Sequence, residues 1–161
     1  MNTPTLIDSI LLDEVTHLAR GSERGRRNYN FHATDDAVSH RLLNAMEPGS
    51  YLQPHRHLDA AKDETFVVLR GAFGLILFDA DGNVTQTALL RADGETVGVN
   101  IPKGTFHSLL SFEPGSVFFE AKAGPYRPLT TEEKAPWAPS EGDPAATDYL
   151  GTLHALFEPA G

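Results

Sequence analysis

The residues most open to a chemical reading are three histidines and a glutamate: His55 and His57, two positions apart, then Glu64, then His107. Side chains alternate across an extended segment, so His55 and His57 leave it on the same face and two imidazoles so spaced can chelate one ion. Glu64 opens the next apolar run and can add an oxygen from a neighbouring strand. His107 follows the tight-turn sequence Pro102-Lys103-Gly104. Three neutral imidazoles and one carboxylate suit a borderline divalent transition metal: iron, manganese, zinc, nickel or cobalt. In an octahedral arrangement such a set leaves two positions open, as catalysis requires.

Around this group, parity assigns further roles. Tyr51 and Gln53 share strand parity with His55 and His57 and are expected to face the same cavity, Tyr51 as a catalytic group and Gln53 as a substrate contact. Lys62 and Arg56 flank the ligands: Lys62 is a candidate proton shuttle or anion anchor, Arg56 a candidate substrate anchor. Asn28, Asn30 and His32 alternate with Tyr29 and Phe31; if the aromatic pair faces the core between layers, the polar set lines the pocket or meets water. Phe66 and Val68 share parity with Glu64 and form its apolar wall. Glu120 and Tyr126 are further candidates. His17, His40 and His154 read as ordinary structural histidines, and Arg24, Arg26 and Arg27 as a solvated loop.

The elements that must position these groups are mostly strands. Apolar and β-branched runs at Thr65–Leu69, Phe73–Phe78, Thr96–Ile101 and Val117–Phe119 are separated by turn chemistry at Glu47-Pro48-Gly49-Ser50, Asp81-Gly82, Asp93-Gly94, Pro102-Lys103-Gly104 and Glu113-Pro114-Gly115-Ser116. Asp81-Gly82 between two apolar runs predicts a hairpin. Many short strands at this spacing predict an all-β sandwich or barrel. Ahead of them lies a short helix, with Asp13 as its expected cap and Gly21 at its end. Behind them Pro125, Pro128, Pro136, Pro139 and Pro144 exclude a central strand, so the chain is expected to wrap the barrel with Trp137 as an anchor. Asp143-Pro144 then predicts the start of a final helix, whose Leu150, Leu153 and Phe157 form one apolar face. The expected organisation is one domain over 1–161: an N-terminal strand or helix arm at 1–25, a barrel at 26–123, and a wrapping segment with a helix at 124–161.

The bulk composition narrows the partners. With 13 basic and 22 acidic residues among 161, the formal charge is −9. Such a surface repels phosphate backbones and anionic lipid, so nucleic acid and membrane partners are not expected. There is no cysteine, which removes disulfides, thiolate ligands and cysteine nucleophiles. No secretory signal pattern is visible, and a cytoplasmic location is the default expectation. Leu6-Ile7 and Ile10-Leu11-Leu12 could cover or swap across a sheet edge, and a homodimer is expected.

The sequence resembles the cupin superfamily. One pattern runs from Gly49 through His55, His57 and Glu64 to Gly71; a second runs from Gly94 through Pro102 and Gly104 to His107. The resemblance implies a cupin double-stranded β-helix, a jelly-roll barrel, with His55, His57, Glu64 and His107 at the positions of the family's metal ligands. Six residues separate His57 from Glu64, more than the usual three or four, so the bend between the motifs carries an insertion. Ser111 stands where the second motif usually ends in asparagine. A narrower resemblance, to the WbuC-type cupin metalloproteins, is carried by Arg27-Asn28-Tyr29-Asn30-Phe31-His32, Pro48-Gly49-Ser50-Tyr51, Pro54-His55-Arg56-His57, Lys62-Asp63-Glu64, Gly124-Pro125-Tyr126 and Ala135-Pro136-Trp137-Ala138-Pro139. That family is bacterial, and its namesake is associated with O-antigen polysaccharide gene clusters; its name implies a fold and a metal.

Three functions fit these residues. The first is a metalloenzyme acting on a small oxygenated substrate such as a sugar or sugar derivative, by an isomerase- or epimerase-like reaction in which the metal polarises a carbonyl. The second is an iron-dependent dioxygenase. The third is a non-catalytic module that uses the metal to hold a small ligand.

Overall fold

The computed structural model describes residues 3–158; residues 1–2 and 159–161, the ends of the expected domain, lie outside it. The first element is a helix, α1 (Ser9–Arg20). Its cap is Asp8, whose carboxylate accepts from the Leu11 N–H at 3.1 Å, rather than the expected Asp13. Asp13 lies inside the helix and pairs with Arg70 at 2.6 Å. Gly21 ends the helix, as its position predicts.

Among the described residues eight strands follow: β1 (Arg26–Asn30), β2 (Ser39–Met46), β3 (Glu64–Arg70), β4 (Ala72–Phe78), β5 (Val84–Arg91), β6 (Gly98–Ile101), β7 (Phe106–Ser111) and β8 (Ser116–Ala123). They form a five-stranded sheet in the order β1-β2-β8-β3-β6 and a three-stranded sheet in the order β5-β4-β7. All the pairings are antiparallel. This is the double-sheet architecture of a cupin barrel. The turn from β3 into β4 depends on Gly71, at φ +75°, where a Cβ would stand 2.2 Å from the Ser116 hydroxyl.

Three apolar clusters hold the layers. Between the sheets lie Phe66, Val68, Phe73, Leu75, Leu90, Leu109 and Phe118. On the outer face of the larger sheet, Leu11, Leu12, Val15 and Ala19 of α1 cover Leu43, Ala45 and Val117, with Tyr29 and Phe31 packed beside them. Of the N-terminal apolar residues, Leu11 and Leu12 are buried and Leu6, Ile7 and Ile10 are exposed in the single chain. On the outer face of the smaller sheet, the proline-rich segment and a last helix, α2 (Ala146–Ala155), cover Ile76, Phe78, Phe106 and Leu110. Trp137 stacks near Phe78 and Phe106, at 5.2 and 5.3 Å between ring centres. Asp143 does not cap α2 as expected. Its carboxylate accepts from Ala145 in the preceding turn, and Ala145 occupies the cap without a side-chain bond. Among the described residues no helix is long and apolar enough to cross a membrane.

Candidate metal centre

The inward row of the larger sheet follows from its register. Lys122 on β8 sits opposite Glu64 on β3 and opposite His40 on β2, while Glu120 sits opposite Phe66 and Leu42. Alternation along each strand therefore sends Glu64, Glu120, Lys122 and Asn44 inward, and sends Leu43, Phe119 and Tyr29 out to α1. His107 enters from the other sheet, as the second residue of β7. The turn ahead of it is held by Gly104, at φ +81°, whose N–H donates to the His57 carbonyl at 2.7 Å. His55 and His57 lie between β2 and β3, on a segment that does not form a regular strand. His55 alone is paired, exchanging backbone hydrogen bonds with His107 at 3.0 and 2.9 Å and forming a bridge to Lys134.

These segments bring the four candidate ligands to one place. Ligand atoms of His55, His57 and Glu64 all lie within 4.8 Å of one another. His57 Nε2 stands 2.9 Å from Glu64 Oε1, and His107 Nε2 stands 3.1 Å from Oε2 on the other side of the same carboxylate. His55 and His107 are 4.5 Å apart between ring centres. The Nδ1 atoms of His55 and His107 each donate to a backbone carbonyl two residues back, Gln53 and Thr105, at 3.0 Å. Held this way, each ring presents its Nε2 lone pair to the interior, as a metal-ligating imidazole does.

The donor set fits a metal ion on a further count. His57 Nε2, His107 Nε2 and Glu64 Oε2 are buried and have no hydrogen-bond partner despite their proximity. A buried polar atom without a partner costs about 1–3 kcal/mol, and three at one point are accounted for by a shared cation. Burial favours neutral groups here, and it pushes the His55 imidazole down to about 3, with His107 adding to the shift. For Glu64 burial acts upward, but the imidazoles of His107 and His57 and the Lys122 ammonium outweigh it, holding the carboxyl well below its usual range. His55 and Glu64 are thereby in the protonation states that bind a metal.

Lys122 joins the candidate ligand to a second carboxylate. Its ammonium lies 2.9 Å from Glu64 Oε1 and 2.5 Å from Glu120 Oε1, and Asn44 donates to the other Glu120 oxygen at 2.7 Å. Burial raises the Glu120 pKa. Burial alone would lower that of Lys122, but Glu120 and Glu64 outweigh it and raise it. Lys122 and Asn44 were not singled out from the sequence. Lys122 shares parity with Glu120 on an otherwise apolar strand, and that was the signal available for it.

The centre opens into a cavity of about 500 Å³, whose wall includes His55, Glu64, His107, Glu120 and Lys122. Asn28 and Asn30 line it, bonded to each other at 2.7 Å. Arg24, Arg26 and Arg27 line it too, so they are more than a solvated loop. The Arg26 side chain is only 15% exposed, and both Arg24 and Arg26 pair with Glu141 of the wrapping segment. Lys62 borders a smaller adjoining cavity of about 210 Å³, and Gln53 a third. Tyr126 borders both smaller cavities, while Tyr51, Arg56 and His32 lie off all three. Tyr51 turns into the outer apolar cluster, where its hydroxyl donates to the Pro139 carbonyl at 2.7 Å and burial raises its pKa. Leu52 lines the cavity in its place, because without a ladder ahead of His55 the residues do not alternate strictly. Arg56 lies over the Phe106 ring at 4.4 Å and donates to the Glu132 carbonyl. His32 is buried, stacked on His40 at 3.8 Å.

Comparison with known proteins agrees with this architecture. KdgF from Halomonas sp. is 22% identical, with a TM-score of 0.51 over 65% of this chain and 84% of that one. The capsular polysaccharide assembling protein CapF from Staphylococcus aureus is 19% identical, with a TM-score of 0.55 over 70% of this chain. This chain spans only 30% of CapF. Bacillus subtilis oxalate decarboxylase, described by its Mn(II) centers, is 16% identical, with a TM-score of 0.50 over 67% of this chain and 27% of that one. At these identities the likeness establishes the cupin fold. No curated protein matches the chain. The family model described as Domain of unknown function (DUF6016) matches residues 7–90, more than half of the sequence, so the chain belongs to that family.

Proposed function

We propose that the protein is a divalent-metal cupin acting on a small, oxygen-rich molecule of the sugar type, with His55, His57, Glu64 and His107 as the metal ligands. The observation that carries this reading is the convergence of buried, unpartnered His57 Nε2, His107 Nε2 and Glu64 Oε2 beside a cavity large enough for a monosaccharide-sized ligand. A divalent ion bound there supplies Lewis acidity toward a carbonyl or hydroxyl oxygen. The chain supplies the rest. Asn28 and Asn30 offer amide donors and acceptors for hydroxyl groups. Phe66, Leu109 and Phe118 give the cavity an apolar base that excludes water. Glu120, held by Asn44 and Lys122, presents a fixed carboxylate to the same space.

An isomerase- or epimerase-like reaction, the exchange of a proton next to a carbonyl, is the chemistry this set favours. The resemblance to WbuC-type cupins supports a place in polysaccharide metabolism, and the likeness to a capsular polysaccharide assembling protein points the same way. The test has two steps. Elemental analysis of protein purified without added metal should find one transition-metal ion per chain. A panel of aldoses and ketoses incubated in D2O should then show protein-dependent deuterium uptake, lost in His107→Ala. Metal-free protein with undiminished exchange, or a full metal complement in all four alanine variants, would sink the proposal.

A further inference from the structure

We infer that the ligand of this centre is anionic, bearing a carboxylate or phosphate group, and that Lys62 holds the charged end. This rests on reading the cavity as a ligand site, and it adds the ligand's charge and the residue that selects for it. The protein as a whole carries a formal charge of −9, yet the smaller cavity beside the centre is lined by Arg24, Lys62, Lys122 and Arg127, with Glu141 its one carboxylate. Three of those cations are already matched. Arg24 pairs with Glu141 at 2.8 Å, Lys122 with Glu64 and Glu120, and Arg127 with Asp36 at 2.9 Å. Lys62 has no carboxylate partner among the described residues; its ammonium donates to the Pro125 carbonyl at 2.8 Å. An ammonium carries three N–H donors, so this one keeps capacity for an anion.

Lys62 is also held in place. It lies on the six-residue stretch between His57 and Glu64 that lengthens the bend between the ligand motifs. Asp59 shapes that turn, its carboxylate accepting from Ala61 N–H at 2.9 Å and its carbonyl from Lys62 N–H at 3.1 Å. Asp63 pins the other end, accepting from Lys103 N–H at 2.9 Å in the turn that precedes His107. His55 and Lys122 belong to the walls of both cavities. The two cavities therefore adjoin, and a ligand held at the metal group can extend toward Lys62.

The test is calorimetric titration with glucose 6-phosphate, gluconate and glucose, on metal-replete and chelator-stripped protein, for wild type, Lys62→Gln, Lys62→Arg and the charge control Lys103→Gln. One of the two anions should bind at least about tenfold more tightly than glucose, the scale of one charge-assisted hydrogen bond, and the tighter one distinguishes phosphate from carboxylate. Lys62→Gln should lose about that factor for the anion and leave glucose unchanged. Lys62→Arg should restore it, Lys103→Gln should match wild type, and the dependence on Lys62 should survive metal removal. Anion binding that is indifferent to Lys62, equal binding of glucose, or no binding of any probe overturns the inference. If the anions bind only to metal-replete protein and ignore Lys62, the inference fails while the metal centre stands. If no metal is found but the dependence on Lys62 persists, the proposed function fails and the anion site remains.

Discussion

The inside of the barrel is two environments built on the same strands. In one part Phe73, Leu75, Leu90, Leu109 and Phe118 close on one another, each almost wholly buried. In the other, a step or two along β2, β3 and β8, the inward positions are Asn44, Glu64, Glu120 and Lys122, faced by His107 of β7. The apolar part stabilises the fold by removing hydrocarbon from water. The polar part costs stability, since ions and imidazoles are held out of water and three of their atoms lack partners. It persists because its charges are matched at close range and because the apolar part holds the sheets in register around it. Stability alone gives no reason for such a cluster, which is why the proposed function is placed at this end of the barrel.

The comparison is broken most decisively at the ligands. His57→Ala and His107→Ala should each reduce bound metal from one ion per chain to a small fraction, measured by elemental analysis after gel filtration. Removing an orientation partner alone typically lowers metal affinity by about 10–100-fold, and removing a ligand should exceed that. The metal-stripped variants should lose some stability, because truncation removes the packing of the ring and, at His107, the bond from Nδ1 to the Thr105 carbonyl, and the loss of an unpartnered nitrogen offsets only part of that. A full metal complement in the folded variants would show that these histidines serve the core instead.

The converse change lies in the apolar part. Phe73 is fully buried and meets Phe118 edge-on at 5.1 Å. Phe73→Ala should cost about 3–5 kcal/mol in denaturant unfolding, while the protein that remains folded keeps its metal stoichiometry. Metal loss in folded Phe73→Ala would mean that the two environments are one cooperative unit rather than a support and a site.

Lys122 sits at the boundary, and there the comparison can be sharpened. Lys122→Met leaves Glu64 and Glu120 buried near one another with no cation in the absence of metal. Breaking one side of a buried ionic cluster costs about 3 kcal/mol or more, so the stripped variant should be markedly less stable. Adding Glu120→Gln should recover much of that loss, since one of the stranded charges is then gone. Metal should rescue the single variant more than wild type, visible as a larger shift in melting temperature on adding the ion.

Sequence and structure correspond closely where a regular ladder or a tight turn dictates the outcome. β3, β4, β6 and β8 lie at the apolar runs named from the sequence, and the Asp81-Gly82 hairpin joins β4 to β5; Tyr29 and Phe31 pack toward α1 while Asn28 and Asn30 line the cavity. The pairing of β2 with β8, which brings Asn44 to Glu120, joins residues 76 positions apart, and no local pattern encodes such a contact. The cap of α1 was misplaced because Asp8 and Asp13 are equally good capping residues, and the choice between them rests on which register buries Leu11, Leu12 and Val15. Arg26 read as solvent-exposed because its partner, Glu141, comes from the irregular wrapping segment, whose path no periodicity describes.

Tyr51 tests where the working end stops. Strand parity with His55 places it in the cavity, but Pro54 has no N–H to offer a ladder, and pairing begins only at His55. Regular alternation is absent between the two, and the Tyr51 hydroxyl donates to the Pro139 carbonyl while its ring packs 6.1 Å from that of Tyr149. Tyr51→Phe keeps the ring and removes one hydrogen bond, so it should cost about 1 kcal/mol in denaturant unfolding. Metal stoichiometry and proton exchange should stay at wild-type levels. A large fall in exchange with stability intact would move the border of the site outward to include the hydroxyl, because a group that only fastens the outer cover has no means of slowing chemistry inside the barrel.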